Sequence, residues 1–288
     1  MKEFELQVHV DGKPYPVEFS PENVRSGKSI QTYPDDVLIA TFPKCGTTWV
    51  RHIICQLMLE DYDPRPGKEL FVYSPMIECD GKEVIDRTPR PRILKSHMTY
   101  GDYPKNPVAK RILVVRNPKD TLVSSFKMAS NAKWPNYAGL TFDIFFDLFM
   151  EGKYAYGCYF EYHKDWIDQL KEHDMLLLKY EDMVKDLKTA TVQIGEFLGG
   201  RAAEIVENPE KLGDVVEAST FKSMKEDQSR WIEGFLKDQQ QFVRKGTPRD
   251  WKNYLNKEQS DRVDQKFKEV FKGTMAANWW QEEMKWED

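Results

Sequence analysis

A lysine-containing turn is the part of this sequence whose residue types and spacing most clearly indicate chemistry. Lys44 and Gly46 lie in the turn, and Thr47 and Thr48 follow it directly. If a helix begins at Thr47, the ammonium group, the two hydroxyls and the free N–H groups of the first helical turn all favour a bound anion. Glycine lets the backbone approach such a ligand closely. The turn therefore predicts a phosphate-binding loop.

The segments on either side of the turn have the patterns of a buried strand and a helix. Residues 37–42 (VLIATF) are apolar and rich in branched side chains, as in an inner strand of a parallel sheet. After Thr47 the apolar residues recur at helical spacing, at Val50, Ile53, Ile54, Leu57 and Met58. The alternative is a threonine-capped helix after a chance strand, which leaves Lys44 and Gly46 unexplained. The loop is not the G-x-x-x-x-G-K-[ST] of nucleotide-hydrolysing P-loops, because its lysine precedes the glycine.

Three further short strands are predicted to end in polar side chains. They are residues 92–97 (RILKSH), which end in His97, residues 111–115 (RILVV), before Arg116, and residues 175–179 (MLLLK), before Tyr180. Strands that alternate with helical segments predict an α/β fold with a central parallel sheet and helices on both faces. Ligands of such sheets bind beyond the carboxyl ends of the strands, so these side chains should meet Lys44 there.

The rest of the chain is predicted to surround this sheet as one domain over residues 1–288. Residues 1–36 should contain a hairpin that turns at Asp11-Gly12, followed by a loop. Residues 62–91 are rich in proline and glycine, which indicates a long functional loop. Helices are predicted over residues 142–150, 152–169, 180–199 and 257–271, with several short ones in residues 202–224.

Composition excludes several classes of protein. The formal net charge of −5 gives no support to nucleic-acid binding, so an anionic ligand must be held by a local cluster. No apolar run has membrane-spanning length, and the N-terminal residues lack the apolar core of a signal peptide. The four cysteines have no metal-ligand spacing, which favours reduced thiols and no bound metal. We expect a cytoplasmic protein without a nucleic-acid or membrane partner.

Five segments, in order, resemble the cytosolic sulfotransferase family. TFPKCGTTW resembles the family loop for the 5′-phosphosulfate of 3′-phosphoadenosine 5′-phosphosulfate (PAPS), usually Y-P-K-S-G-T-T-W. LKSH resembles the segment with the catalytic histidine, and VVRNPKDTLVSS resembles the segment that binds the 3′-phosphate. LKYEDM resembles the adenine segment, and FVRKGTPRDWK resembles the R-K-G-x-x-G-D-W-K signature. The resemblance spans residues 37–252. It implies a P-loop-like strand-loop-helix and transfer of a sulfuryl group from PAPS to a hydroxyl or amine of a small molecule, with 3′-phosphoadenosine 5′-phosphate (PAP) as product.

The resemblance also implies a role for each matched residue. His97 would be the general base, and Lys44 and Lys95 would neutralise charge on the departing phosphate. The 5′-phosphosulfate would contact Lys44, Cys45, Gly46, Thr47 and Thr48. The 3′-phosphate would contact Arg116, Ser124, Arg244, Lys245 and Gly246, because arginine can donate two parallel hydrogen bonds to a phosphate. The adenine would contact Trp49, Tyr180, Thr220 and Phe221. No metal is required.

Several of these residue types more often have a structural role. A lone histidine at a strand end is commonly structural, and a tryptophan such as Trp49 is commonly a core residue. A strand-end lysine such as Lys95 and an Arg-Lys-Gly triplet are usually solvated. The resemblance, and not the residue type, is what favours a functional role for these positions.

The sequence departs from the family pattern at three places. Cys45 replaces a serine, and a thiol beside a helix N-terminus and Lys44 is expected to have a lowered pKa and to oxidise readily, unless it is only a small residue that fits. Arg249 replaces the last glycine of the R-K-G-x-x-G signature, so it either adds a phosphate contact or changes the turn. Asn256 and Lys257 replace the threonine and valine of the family's dimer motif, so a homodimer is not assured.

The acceptor can be predicted only as a class. Residues 62–91, the segment around residues 134–146 and the segment near residues 231–242 should line its pocket. The candidate contacts, each of which could equally be a core residue, are Met76, Trp134, Phe142, Phe145, Trp231 and Phe235. These side chains predict an apolar or phenolic acceptor.

Other functions are compatible with parts of the pattern. A P-loop-type small-molecule kinase would need a first loop glycine and an acidic residue for Mg²⁺, and neither is evident. A non-enzymatic nucleotide-binding protein of the same fold would have no need of His97 together with Lys44 and Lys95. A Golgi carbohydrate or tyrosine sulfotransferase is disfavoured because no membrane anchor precedes the domain.

Overall fold

The strands form a small hairpin and a parallel sheet. A computed structural model describes residues 4–64, 69–104, 109–131, 135–170, 175–231 and 246–287. Its strands are β1 (Gln7–Val10), β2 (Lys13–Pro16), β3 (Val37–Thr41), β4 (Ile93–Ser96), β5 (Lys110–Val115) and β6 (Met175–Lys179). β1 and β2 pair antiparallel around Asp11 and Gly12, whose φ values of 53° and 79° are those of a tight hairpin turn. β4, β3, β5 and β6 lie in that order in an all-parallel sheet.

The helices cover both faces of the sheet. They are α1 (Pro21–Lys28), α2 (Thr47–Met58), α3 (Leu70–Tyr73), α4 (Ile77–Arg87), α5 (Pro118–Asn131), α6 (Phe142–Met150), α7 (Tyr159–Gln169), α8 (Tyr180–Lys185), α9 (Leu187–Leu198), α10 (Arg201–Glu207), α11 (Pro209–Ala218), α12 (Phe221–Glu226), α13 (Lys257–Phe271) and α14 (Gln281–Met284). Short 3₁₀ turns span Pro135–Tyr137, Ser229–Trp231 and Asp250–Asn253.

The two faces of the sheet pack into separate hydrophobic layers, because side chains alternate along each strand. In β3, Val37 and Ile39 pack with α2, α9, α10 and α11, whereas Leu38 and Ala40 pack with α5, α6, α7 and α13. The central sheet covered on both faces confirms the fold predicted from the sequence. Since the strands are parallel and in register, the residues that follow β3, β4, β5 and β6 come together at one edge of the sheet.

Four predicted segments differ from the structure. Residues 1–36 include α1, which the sequence prediction missed. Its start is signalled by Ser20 as N-cap and by Pro21 in the first turn. Residues 62–91 are not one long loop, because they contain α3 and α4, the latter kinked at Gly81. Residues 180–199 form two helices, because Asp186 ends α8 and caps α9.

The fourth difference is the helix predicted over residues 152–169, which starts only at α7. The preceding residues turn instead, since Gly152, Ala155 and Gly157 have φ values of 72°, 49° and 88° that no right-handed helix allows. This turn carries Tyr154 and Tyr156 into the interior, where both are buried.

A buried lysine fastens the C-terminal segment to α5. Lys119 is fully buried and its Nζ donates to Ser260 Oγ at 2.7 Å, to Asp264 at 2.8 Å and to the Met284 carbonyl at 2.6 Å. Its ammonium also lies 4.4 Å from the centre of the Trp251 ring.

We expect Lys119→Met to lower the free energy of unfolding by about 2–4 kcal/mol, because it leaves the buried Ser260 hydroxyl and Met284 carbonyl without their donor. Chemical denaturation followed by circular dichroism measures the change. Lys257→Met, which removes an exposed pair with Asp261, is the control and should cost at most about 1 kcal/mol. Equal losses in both variants would contradict this account of the anchor.

Candidate active site

The turn between β3 and α2 has the geometry of an anion-binding loop. Lys44 and Gly46 have φ values of 71° and 104°, so the chain reverses sharply before α2 begins at Thr47. No side chain caps α2, so its first N–H groups point toward the loop without a side-chain acceptor. A Cβ at Gly46 would lie 2.9 Å from Cδ2 of Tyr180, which shows how closely the backbone passes that ring. Glycine is required here by both conformation and space.

His97 lies at the end of β4, 8% exposed, and its hydrogen bonds fix the tautomer of the neutral ring. Nδ1 is 2.6 Å from the backbone carbonyl oxygen of Thr41, which can only accept, so Nδ1 carries the proton. Nε2 is then left with its lone pair, as a general base requires. The hydroxyl of Thr41 lies 3.1 Å from the same Nδ1 and 2.6 Å from the hydroxyl of Thr47 in the anion loop.

A buried carboxyl group holds the backbone of His97 in place. Glu78 Oε1 accepts from the His97 N–H at 2.7 Å and from the Tyr156 hydroxyl at 3.0 Å. The Tyr156 ring also packs edge-on against the imidazole at 5.3 Å between centroids. Burial raises the pKa of Glu78, while its bond to the His97 N–H acts in the opposite direction. Glu78 therefore holds the backbone of His97, and the Tyr156 ring holds its imidazole.

Arg116 follows β5 and faces the anion loop. Its Nη1 donates to the Lys44 carbonyl at 3.0 Å, and its guanidinium lies 4.3 Å from the centre of the Tyr180 ring. Its Nε is buried and has no hydrogen-bond partner among the described residues. A buried guanidinium with a donor to spare is suited to a ligand oxygen. Ser124 on α5 lines the same cavity.

Several aromatic rings lie near Arg116 in this cavity. The Trp49 ring lies 5.6 Å from the Tyr180 ring, edge-on, and its Nε1 donates to the Ser219 carbonyl at 2.7 Å. Gly246 has a φ of 67°, and a Cβ there would lie 2.5 Å from the Phe221 ring. Flat apolar ring surfaces of this kind suit an aromatic base.

The anion loop, His97, Arg116 and the aromatic rings line one cavity of about 450 Å³. The predicted site residues that it brings together are Lys44, Gly46, Thr47, Thr48, Trp49, Met76, Lys95, His97, Arg116, Ser124, Tyr180, Thr220, Phe221 and Gly246. Four other predicted residues, Trp134, Phe235, Arg244 and Lys245, lie outside the described residues.

The structure does not bring the remaining predicted residues to the cavity. Phe145 is fully buried among aromatic side chains of α5 and α6, and Phe142 packs on Phe126 at 5.1 Å between centroids. Trp231 lies in the other hydrophobic layer, against His52 at 4.9 Å. These three are core or packing residues, and we do not propose them as acceptor contacts.

Cys45 also points away from the cavity, and the prediction of a lowered pKa is wrong. Its side chain is fully buried, with Sγ 3.7 Å from the Thr121 hydroxyl. Burial raises the pKa of the Cys45 thiol to about 12, although that hydrogen bond acts in the opposite direction. The positive groups of the loop do not offset desolvation.

We therefore expect thiol reagents to modify Cys79 and Cys158, which are partly exposed, before Cys45 and Cys55, which are buried. The reactive species is the thiolate, and a buried thiol of high pKa supplies almost none. Mass spectrometry of the native protein during iodoacetamide treatment measures the order. Modification of Cys45 first, or activity loss that a Cys45→Ser variant resists, would contradict the structure.

Several cavity residues were not predicted from the sequence. They are Glu18 and Phe19 after β2, Met128 on α5, and the three tyrosines Tyr137, Tyr154 and Tyr156. Tyr154 and Tyr156 were not predicted as cavity residues because residues 152–169 were expected to form one helix. The signal that could have revealed them is the pair of glycines at 152 and 157, which bracket an aromatic stretch.

The structure explains how Arg249 replaces a glycine. Arg249 has a φ of 67°, the left-handed conformation in which glycine is favoured, and its N–H donates to Asp120 at 2.8 Å. Its guanidinium donates to the carbonyls of Lys285 and Glu287. The side chain thus contacts the C-terminal segment, and residue 249 has a backbone conformation that a glycine also adopts readily.

The segment that resembles a dimer motif has intrachain contacts. Asn256 caps α13 in a reciprocal pair of hydrogen bonds with Gln259, of 2.9 and 3.1 Å. The replacement of threonine and valine is thus compatible with a well-formed helix start. That a homodimer is not assured stays a prediction.

Comparison with known proteins identifies the class. A family model described as "Sulfotransferase domain" matches residues 34–275. The chain is 32% identical to mouse Sulfotransferase 6B1 over 285 residues, which covers 95% of this chain and 89% of that protein. It is 32% identical to guinea pig 3-beta-hydroxysteroid sulfotransferase over 273 residues, which covers 89% of this chain and 91% of that protein.

The solved structure of mouse sulfotransferase SULT7A1 complexed with PAP has the same fold, with a TM-score of 0.81 at 25% identity, over 97% of this chain and all of that one. Fold, site and comparisons together define a sulfotransferase. The chain belongs to the cytosolic sulfotransferase family. Within the described part of the chain, no helix is long and apolar enough to cross a membrane.

Proposed function

We propose that this enzyme transfers the sulfuryl group of PAPS to the hydroxyl or amine of a small, mostly apolar or phenolic acceptor in the cytoplasm. The observation that carries the proposal is the position of His97. Its Nδ1–H donates to the Thr41 carbonyl, which leaves a basic Nε2 in the same cavity as the anion loop. A base and an anion loop in one cavity are what transfer from an anionic donor to a hydroxyl requires.

The residues of the site fit the donor. Arg116 has a buried Nε without a partner among the described residues, and Gly46 leaves room for close approach to the uncapped start of α2. We assign Lys44, Thr47 and Thr48 to the 5′-phosphosulfate, Arg116, Ser124 and Gly246 to the 3′-phosphate, and Trp49, Tyr180, Thr220 and Phe221 to the adenine. Bound PAPS supplies an activated sulfuryl group.

The chain's own groups then promote an in-line displacement. Nε2 of His97 takes the proton of the acceptor hydroxyl as its oxygen forms the new bond to sulfur. Lys44 and Lys95 stabilise the negative charge that appears as the bond between sulfur and the bridging phosphate oxygen breaks. Positioning and electrostatic stabilisation account for most of the catalysis in transfers of this kind. The products are the sulfated acceptor and PAP.

Calorimetric titration with PAP, ATP and ADP, each in EDTA, tests the donor assignment. We expect PAP to bind at least ten times more tightly than ATP or ADP, because only PAP carries a 3′-phosphate for Arg116. Screening of phenols, steroids and amines with PAPS then identifies acceptors. Failure to bind PAP, or binding of ATP alone and only with Mg²⁺, would contradict the proposed function and favour a kinase.

A further inference from the structure

Glu18 places a carboxyl group in an otherwise aromatic and aliphatic region of the cavity. It lies two residues after the end of β2 and lines the cavity together with Phe19, Met128, Tyr137 and Tyr154. Its Oε1 atom is buried and has no hydrogen-bond partner among the described residues. A buried carboxyl oxygen without a partner costs free energy in the empty site, and a ligand that supplies the partner regains it.

Two tyrosines lie within electrostatic reach of this carboxyl group. The negative charge of Glu18 contributes to raising the pKa of Tyr137 and of Tyr154, after the larger effect of burial on each hydroxyl. Burial also raises the pKa of Glu18 itself. Carboxylates and the faces of aromatic rings both attract cations, and no cationic side chain has an ion pair with Glu18 within the described ranges.

Two ring contacts connect His97, the proposed base, with Phe19, the neighbour of Glu18 in the chain. The His97 imidazole packs on Tyr156 at 5.3 Å between centroids, and Tyr156 packs on Phe19 at 6.2 Å. Glu18 precedes Phe19 in the chain. An acceptor with its hydroxyl at His97 can therefore contact Tyr156 and Phe19 through its apolar part. A second polar group at the far end of such an acceptor then lies near Glu18.

We propose that Glu18 is a specificity-determining residue that selects acceptors carrying a protonated amine in addition to the reacting hydroxyl. The inference rests on the proposed function, because it places the hydroxyl at His97. The ammonium group pairs with the Glu18 carboxylate against the rings of Tyr137 and Tyr154. An ammonium and a carboxylate that pair in a site largely shielded from water interact more strongly than at an exposed surface.

Matched phenols test the proposal. The probes are 4-(aminoalkyl)phenols with two, three or four methylene groups and the 4-alkylphenols of the same length without the amine. Each is titrated by calorimetry into the enzyme saturated with PAP. We expect at least one aminoalkyl phenol to bind ten times or more tightly than its counterpart, and the preference to fall below about threefold in Glu18→Gln. Glu22→Gln, an exposed carboxylate on α1, is the control and should keep the preference.

The same titrations separate the two proposals. Binding of PAP is measured first, and its absence in the wild type would contradict the proposed function. If PAP binds, the Glu18 proposal is overturned when no aminoalkyl phenol binds better than its alkyl counterpart, or when the preference survives in Glu18→Gln. Binding is read without turnover, so an inactive variant still gives a result, and unchanged PAP affinity in Glu18→Gln shows that the variant is folded.

Discussion

Replacing His97 with alanine should lower kcat for sulfation of a phenol by about 10²–10⁴-fold, the usual contribution of a general base. The neutral ring carries its proton on Nδ1, which donates to the Thr41 carbonyl, so its lone pair is on Nε2. No other imidazole lines the cavity within the described residues. The measurement is the steady-state rate with saturating PAPS. The affinity for PAP should change little, because the imidazole is assigned to the acceptor.

Two comparisons make this prediction specific. His9→Ala removes an exposed histidine of β1 and should leave kcat unchanged. In His97→Ala, added imidazole should restore part of the rate, because it can occupy the space left by the side chain and accept the proton. A kcat within fivefold of the wild type would show that His97 is structural and that another group takes the proton.

Replacing Arg116 with alanine should weaken PAP binding by about 10²–10³-fold. Each charge-assisted hydrogen bond to a phosphate contributes about 1.5–3 kcal/mol, and a guanidinium can make two. Tenfold in affinity corresponds to about 1.4 kcal/mol. Arg116 also donates to the Lys44 carbonyl, so its removal loosens the anion loop as well. Calorimetry measures the dissociation constants of wild type and variant.

The contribution of the 3′-phosphate can be isolated by comparing PAP with 5′-AMP, which lacks that group. In the wild type PAP should bind far more tightly, and in Arg116→Ala the two affinities should nearly converge. Arg116→Lys keeps the charge without the planar fork and should give an intermediate result. Arg201→Ala, an exposed residue at the start of α10, is the control. Equal weakening of PAP and 5′-AMP in Arg116→Ala would place Arg116 away from the 3′-phosphate.

Strands and strand ends were predicted well because their signals are local. β3, β5 and β6 are short apolar runs with clear ends, and parallel pairing then brings Lys44, His97, Arg116 and Tyr180 to one edge. Part of the proposed donor side follows from this geometry, because Lys44, Arg116 and Tyr180 lie in the segments that follow the strands.

The acceptor side could not be derived in the same way. Its residues come from segments far apart in the chain, such as Glu18 after β2 and Tyr154 before α7, and only tertiary packing brings them together. Phe145 and Trp231 have the same apolar character as true cavity residues, yet they are core residues. Hydrophobicity alone cannot tell a side chain that faces a cavity from one that faces its neighbours.

The pKa of Cys45 shows a similar limit. Its neighbours in sequence, Lys44 and the start of α2, favour a thiolate, but the direction of its side chain is decided by the fold. The thiol is turned into the apolar layer, where desolvation outweighs the nearby positive charge. A sequence shows which groups carry charge, but the fold decides how far each group is exposed to solvent.

A single hydroxyl connects the two halves of the site. Thr41 Oγ1 lies 2.6 Å from the Thr47 hydroxyl in the anion loop and 3.1 Å from Nδ1 of His97, the proposed base. If Thr47 turns its hydroxyl toward a bound anion, Thr41 loses that partner, and its bond to the imidazole changes with it. Loading of the donor and alignment of the base are then thermodynamically coupled, and such coupling is reciprocal. Donor and acceptor are thus expected to bind cooperatively, and Thr41→Val should make the two binding events independent.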